Sequence, residues 1–219
     1  MPGFKEILAD EEIQKYINKS NQVLGVVGLT EHGFAHCRRV AEVSAKILRE
    51  LGYDSRVCEL AEIAGYMHDI GNMINRSGHA MSGAQMSLAI LNRLGFHAEE
   101  TAEIISAIGH HDEKTAAAVS PVAAALILAD KSDVRRSRVR DKTTVGIDIH
   151  DRVNYAVLNA GVHVNGDKEH LLLNISIDTS ICPVMEYFQI FLDRMTLCKK
   201  AADFLGLKFE LIINETRLL

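Results

Sequence analysis

Seven side chains in this chain carry the donor chemistry of a metal centre: His36, the adjacent pair His68-Asp69, His79, the adjacent pair His110-His111, and Asp130. Imidazole nitrogens mixed with carboxylate oxygens suit Mn, Fe, Co, Ni or Zn better than Ca, which prefers oxygen alone. Neighbours on a helix point about 100° apart, since a turn takes about 3.6 residues, so His68 and Asp69 reach one ion most readily where a helix ends. Gly71 is expected to let the backbone leave helical geometry there. A carboxylate at such an end can also bridge two ions, which an imidazole ligand cannot do. A lone His, or the His-Asp dipeptide by itself, is more often a surface or hydrogen-bonded group. Seven such positions, nearly all at expected helix ends, are harder to read that way.

The elements that must position them are mostly helices. Hydrophobic residues make up 47% of the 219, with three prolines and no tryptophan, as suits a helix-rich globular chain. Apolar periodicity predicts a helix from about Phe4 to Val27. A second is expected over Thr30–Leu51, with Thr30 as N-cap, so that His32 and His36, four residues apart, share a face. A third, capped by Asp54 or Ser55, runs to about Asp69, and Asn72 to Gly78 reads as a loop. Further helices are expected from His79 to Leu94 and from Ala98 to the His110-His111 pair. Another starts at Ser120-Pro121, is apolar on all sides to Leu128, and delivers Asp130. After a basic stretch from Lys131 to Lys142, a short helix is expected over Ile147–Tyr155. Two strands then flank the hairpin signal Asn165-Gly166-Asp167, followed by a helix over Cys182–Leu205 and a strand over Leu207–Ile213. The fold class is therefore mainly α. An N-terminal helix (1–29) packs on a helical metal-binding region (30–145), which a small α+β extension (146–219) of β-hairpin, helix and strand follows.

A net charge of −5 gives no reason to expect a nucleic-acid partner. Cys37, Cys58, Cys182 and Cys198 are widely spaced and suggest reduced thiols rather than a disulfide frame. The first residues lack the apolar run of a signal peptide, and no apolar run is long enough to span a bilayer. A cytoplasmic protein is expected.

The ordered set resembles the HD-domain superfamily of metal-dependent phosphohydrolases. His36-Cys37-Arg38-Arg39-Val40, His68-Asp69-Ile70-Gly71 and Ala129-Asp130 carry the likeness, and His79 with His110-His111 resembles its binuclear branch. The likeness covers about residues 30 to 140 and implies an HD-domain helical bundle. It implies that His36, His68, Asp69 and Asp130 hold a first divalent ion. Asp69 would then bridge to a second ion on His79, His110 and His111. Two ions about 3.5–4 Å apart polarise a phosphoryl group and activate a water, which implies hydrolysis of a nucleotide or other small phosphate ester. Two departures stand out. Asn72 occupies a place where many members carry Lys, and Asp112-Glu113-Lys114 follows the His pair where a Gly-Tyr-Pro signature would support a cyclic dinucleotide substrate.

Around this set, Lys131 and Arg138 are candidates for binding an anionic substrate, and His32 and Lys131 for catalytic help beside Asp69. Asn72 is a candidate to hydrogen-bond a metal-bound water or substrate. Arg39 is expected to pair with Asp130 or another acid, and Asp112 and Glu113 to orient the His pair. Two rival readings share the scaffold: a di-iron oxygenase of the same family, and a non-catalytic regulatory module stabilised by metal. An exposed strand edge in the extension could pair with a second copy to form a homodimer.

Overall fold

Asp10 divides the first expected helix in two. Its carboxylate accepts from the Ile13 amide at 3.0 Å, capping α2 (Glu11–Val26) and ending α1 (Phe4–Ala9). The computed structural model describes all residues from Met1 to Leu219.

The next helix, α3 (Phe34–Leu51), starts four residues later than Thr30. Glu31 bends the chain before it by accepting from the Gly33 amide at 2.6 Å. His32 therefore lies in the approach to the helix and does not share a helical face with His36. At its far end Gly52 takes the left-handed C-cap conformation at φ 87°. Asp54 caps α4 (Ser55–Met67), which gives way to a short 3-10 turn, Ile70–Met73, where a plain loop was expected. α5 (His79–Arg93), α6 (Ala98–Gly109) and α7 (Pro121–Lys131) follow as their caps and periodicity predict, with Ser120 accepting from the Ala123 amide.

Two apolar clusters meet on α7. Val122, Ala123, Ala125, Leu126 and Ala129 join the cluster formed by α1–α6. Ala124, Ile127 and Leu128 join the cluster of the C-terminal elements. An all-round apolar helix is what a position between two packed layers requires.

The C-terminal layer holds α8 (Ile149–Ala156), strands β1 (Val157–Val164) and β2 (His170–Ile177), α9 (Val184–Phe204), β3 (Lys208–Ile213) and the two-residue β4 (Thr216–Arg217). The sheet order is β1-β2-β3-β4, antiparallel at both ends and parallel between β2 and β3. Helix α9 is the crossover that a parallel pair demands. β4 was not expected: two exposed residues after a turn leave no pattern to read. The free edge of β1 is partly taken by α3, with Arg39 donating to the Ala160 carbonyl and Glu50 accepting from the Val164 amide. No helix is long and apolar enough to cross a membrane.

Candidate metal centre

Asp69 stands at the N-cap of the 3-10 turn, with φ −100° and ψ 2°, just past the end of α4. Gly71 makes this turn possible, though not by unusual dihedrals, since it is absent from the positive-φ residues. A Cβ on Gly71 would lie 2.1 Å from the His79 carbonyl oxygen and 2.4 Å from the Gly83 nitrogen. The missing side chain lets the turn press against the start of α5, which brings His79 to Asp69.

The Asp69 carboxylate is divided between two histidine pairs. Its Oδ2 lies 3.3 Å from His68 Nε2 and 3.6 Å from His36 Nε2. Its Oδ1 lies 3.5 Å from His79 Nε2 and 3.9 Å from His111 Nε2. Within the pairs, the Nε2 atoms are 3.3 Å apart for His36 and His68, and 3.1 Å apart for His79 and His111. Asp130, near the end of α7, adds an Oδ1 at 3.4 Å from His36 Nε2 and 3.8 Å from His68 Nε2.

The opposite ring nitrogens fix what these Nε2 atoms are. Nδ1 of His68, His79 and His111 faces the backbone carbonyl of Gly65, Arg76 and Ile108 at 2.8, 3.0 and 2.6 Å. A carbonyl can only accept, so each Nδ1 carries the proton and in the neutral ring each Nε2 presents a lone pair. His36 Nδ1 likewise donates to Asp133 at 2.7 Å. Paired lone pairs about 3 Å apart repel unless a proton or cation lies between them. Asp69 Oδ2 is also a buried oxygen with no hydrogen-bond partner. Both features are what divalent ions would relieve. Bonds of about 2.1 Å at tetrahedral or octahedral angles put neighbouring donors about 3.0–3.4 Å apart, close to the spacings here. His36, His68 and Asp130, and separately His68, Asp69 and His111, offer donor atoms all within 4.8 Å of one another. The donor set therefore fits divalent transition ions.

Burial and charge agree with that use. Burial pushes the Asp69 carboxyl up, but His68, then His32 and His79, outweigh it and hold it well below the usual range. Asp130 is likewise held ionised against burial by Lys131, His36 and His68. Burial pulls the His68 pKa down, yet Asp69 and Asp130 raise it in the net. Burial keeps His111 neutral, with His68 and Lys131 acting in the same sense.

The remaining expected residues fall into two groups. Lys131 and Arg138 line the cleft above Asp69, with His32. Lys131 Nζ is already 2.6 Å from Asp130 Oδ2. Arg138 is buried and donates to the carbonyls of Glu31 and Asp133. His32 donates from Nδ1 to the Thr30 carbonyl at 2.7 Å, and its ring centroid is 5.2 Å from that of His36. Burial, then Arg138, hold His32 well below its usual range, so it is a neutral ring with a free acceptor. Asn72 and His110 are outside the cleft lining. Asn72 is buried and donates to Asp69 Oδ1 at 2.7 Å, so it orients the carboxylate. His110 turns its Nδ1 to the Ser106 carbonyl of its own helix, and only His111 of the pair meets Asp69. Arg39 pairs with Asp133 at 3.1 Å, not with Asp130.

Sequence reasoning missed Asp133, the carboxylate that orients His36. No signal in the sequence sets it apart from a solvated acid. It also missed Arg76 on the cleft wall and the contribution of the C-terminal layer, where Asp148, His150, Asp151 and Asn154 of the α8 region and Phe191 and Arg194 of α9 close the cleft.

The HD domain family model matches residues 33–150, more than half of the chain. Uncharacterized protein MJ1020 of Methanocaldococcus jannaschii is 26% identical over 118 residues, a match covering 45% of each chain. The span of the family model takes in every residue that converges on Asp69, and the chain belongs to the HD-domain family, a superfamily of metal-dependent phosphohydrolases.

Proposed function

We propose that this protein hydrolyses a small phosphate ester, with a nucleotide as the leading candidate, at a centre of two divalent ions. His36, His68, Asp69 and Asp130 would hold one ion, and Asp69, His79 and His111 the other. The proposed set leaves out His110. The single observation that carries the reading is the Asp69 carboxylate, whose two oxygens each face their own histidine pair. When bound, such ions neutralise phosphoryl oxygens and lower the pKa of a water.

The chain's own groups do the rest. Asn72 fixes the plane of the Asp69 carboxylate, and Asp133 fixes the His36 ring. Lys131 offsets the charge of Asp130 and presents its ammonium to the cleft. His32, neutral with its Nδ1 proton committed, offers Nε2 as a hydrogen-bond acceptor and has no proton there to give. Only Leu29 and Phe191 among the lining residues are hydrophobic, which favours a hydrophilic substrate over an apolar one. A phosphoester panel assayed with Mn, Co, Ni or Fe tests the reading. Metal-dependent release of phosphate from at least one member is expected, and no turnover of any member with any of these metals would contradict it.

A further inference from the structure

Four basic side chains line the cleft: Arg76, Lys131, Arg138 and Arg194. Three already face carboxylates. Lys131 lies 2.6 Å from Asp130 and 4.0 Å from Glu113. Arg194 pairs with Glu113 and stacks on Phe191 at 4.3 Å. Arg138 is buried against Asp133, whose Oδ2 is 3.6 Å away, and two backbone carbonyls. An incoming anion must compete with an internal partner at each of these.

Arg76 differs. It is exposed on the segment between the 3-10 turn and α5, and no carboxylate lies within ion-pair reach of it. Its Nη1 donates to the neutral Asn72 Oδ1 at 3.2 Å and faces His79 Nε2 at 3.4 Å. The guanidinium thus sits against the lone pair that the second ion would use. A guanidinium has no acceptor and is always charged, so it cannot share that lone pair with a metal ion.

We propose that Arg76 is the anion-binding arm of the cleft: it gives up His79 when an ion binds there, and its guanidinium then takes the phosphoryl group. This rests on the phosphohydrolase reading above. It also supplies a cation on the Asp69 side of the cleft, which Asn72, a neutral amide turned to Asp69, cannot do. The fork geometry of Arg suits two oxygens of one phosphoryl group. The Asp69–Asn72–Arg76 chain of hydrogen bonds ties the arm to the bridging carboxylate.

The test uses the full chain, with inorganic phosphate and Mn as probes and calorimetric titration as the readout. Arg76→Gln should leave the melting temperature close to the parent's, because the side chain is exposed. It should bind Mn at least as tightly as the parent, since a competing charge is gone. Once loaded with Mn, it should bind phosphate about tenfold to a hundredfold more weakly, the scale of a lost charge-assisted hydrogen bond. Arg76→Lys should recover part of that loss. With any ester that is turned over, KM should rise more than kcat falls. Unchanged phosphate affinity in Arg76→Gln, or weakened Mn binding, would overturn the proposal. If the Mn-loaded parent binds phosphate through Arg76 yet hydrolyses no ester, the arm stands and the hydrolase reading fails. If the Mn-loaded parent binds no phosphate, the arm fails, and the ester panel alone decides the hydrolase reading.

Discussion

At the scale of single residues, the centre depends on groups that never reach the cleft. Asp133 holds the His36 ring through Nδ1 and is itself surrounded by Arg39, Arg135 and Arg138. Burial pushes its carboxyl up, and His36 with Arg138 and Arg135 more than reverses that. Loss of such an outer partner typically weakens metal binding by about 10–100-fold. Asp133→Asn should do so in Mn titration while the folded circular-dichroism spectrum is retained. Metal affinity equal to the parent's would show that the His36 ring needs no such anchor. His36, His68, Asp69, His79, His111 and Asp130 were legible as a set because their types and order are informative. Asp133 was not, since an Asp three residues from a candidate ligand looks like any solvated acid until the fold points it inward. The shared helical face of His32 and His36 was misread because the N-cap of α3 is Gly33 rather than Thr30, with Glu31 bonded to the Gly33 amide just before it.

At the scale of elements, close approach decides whether the residues meet. Gly71 has no room for a methyl group against the His79 carbonyl and Gly83. Gly71→Ala should therefore force the turn away from α5, lowering both the melting temperature and the metal content. A variant with parental metal content would contradict this. The sequence pointed to Gly71 for the wrong reason, as a source of flexibility, because the neighbour that excludes a side chain lies in the next helix. Helix ends were more legible where the cap is local, as at Ser120 and Asp54. Asp10 was passed over because the apolar stripe continues across it. Burial raises the Asp10 carboxyl, but the Arg93 ion pair and the Ile13 amide outweigh it and lower it in the net. A depressed folded pKa gives stability that is complete above the unfolded value of about 3.9 and fades as pH falls through the folded one. Asp10→Ala should cost about 1 kcal/mol at neutral pH. Urea titrations of parent and variant should converge as pH drops below about 4. A gap that stays constant with pH would contradict the ionised cap.

At the scale of the whole molecule, the C-terminal layer is part of the cleft and of the core. Its strands, hairpin and long helix were legible from alternation, the Asn-Gly turn and the apolar period. Its role was not, because no pattern in α8 or α9 announces which face meets α7. A chain cut at residue 146 would expose Ala124, Ile127 and Leu128 to water and lose Arg194 and Phe191 from the cleft. It should aggregate or bind a hydrophobic dye, and a monomeric, cooperatively melting fragment would contradict this. The four cysteines are all buried, three of them at 1% exposure or less. Burial lifts the thiol of Cys182 to about 11 and that of Cys198 to about 12. An aromatic disulfide reagent should leave all four unmodified in the native protein and titrate all four after denaturation.

The central claim is that the two oxygens of Asp69 serve two different ions. Elemental analysis of protein stripped with a chelator, reloaded with Mn and freed of excess ion tests it most directly. The account predicts two ions per chain in the parent and no more than one in Asp69→Asn, with the fold intact. A parent that retains fewer than two ions, or an Asp69→Asn variant that retains as many as the parent, would contradict it.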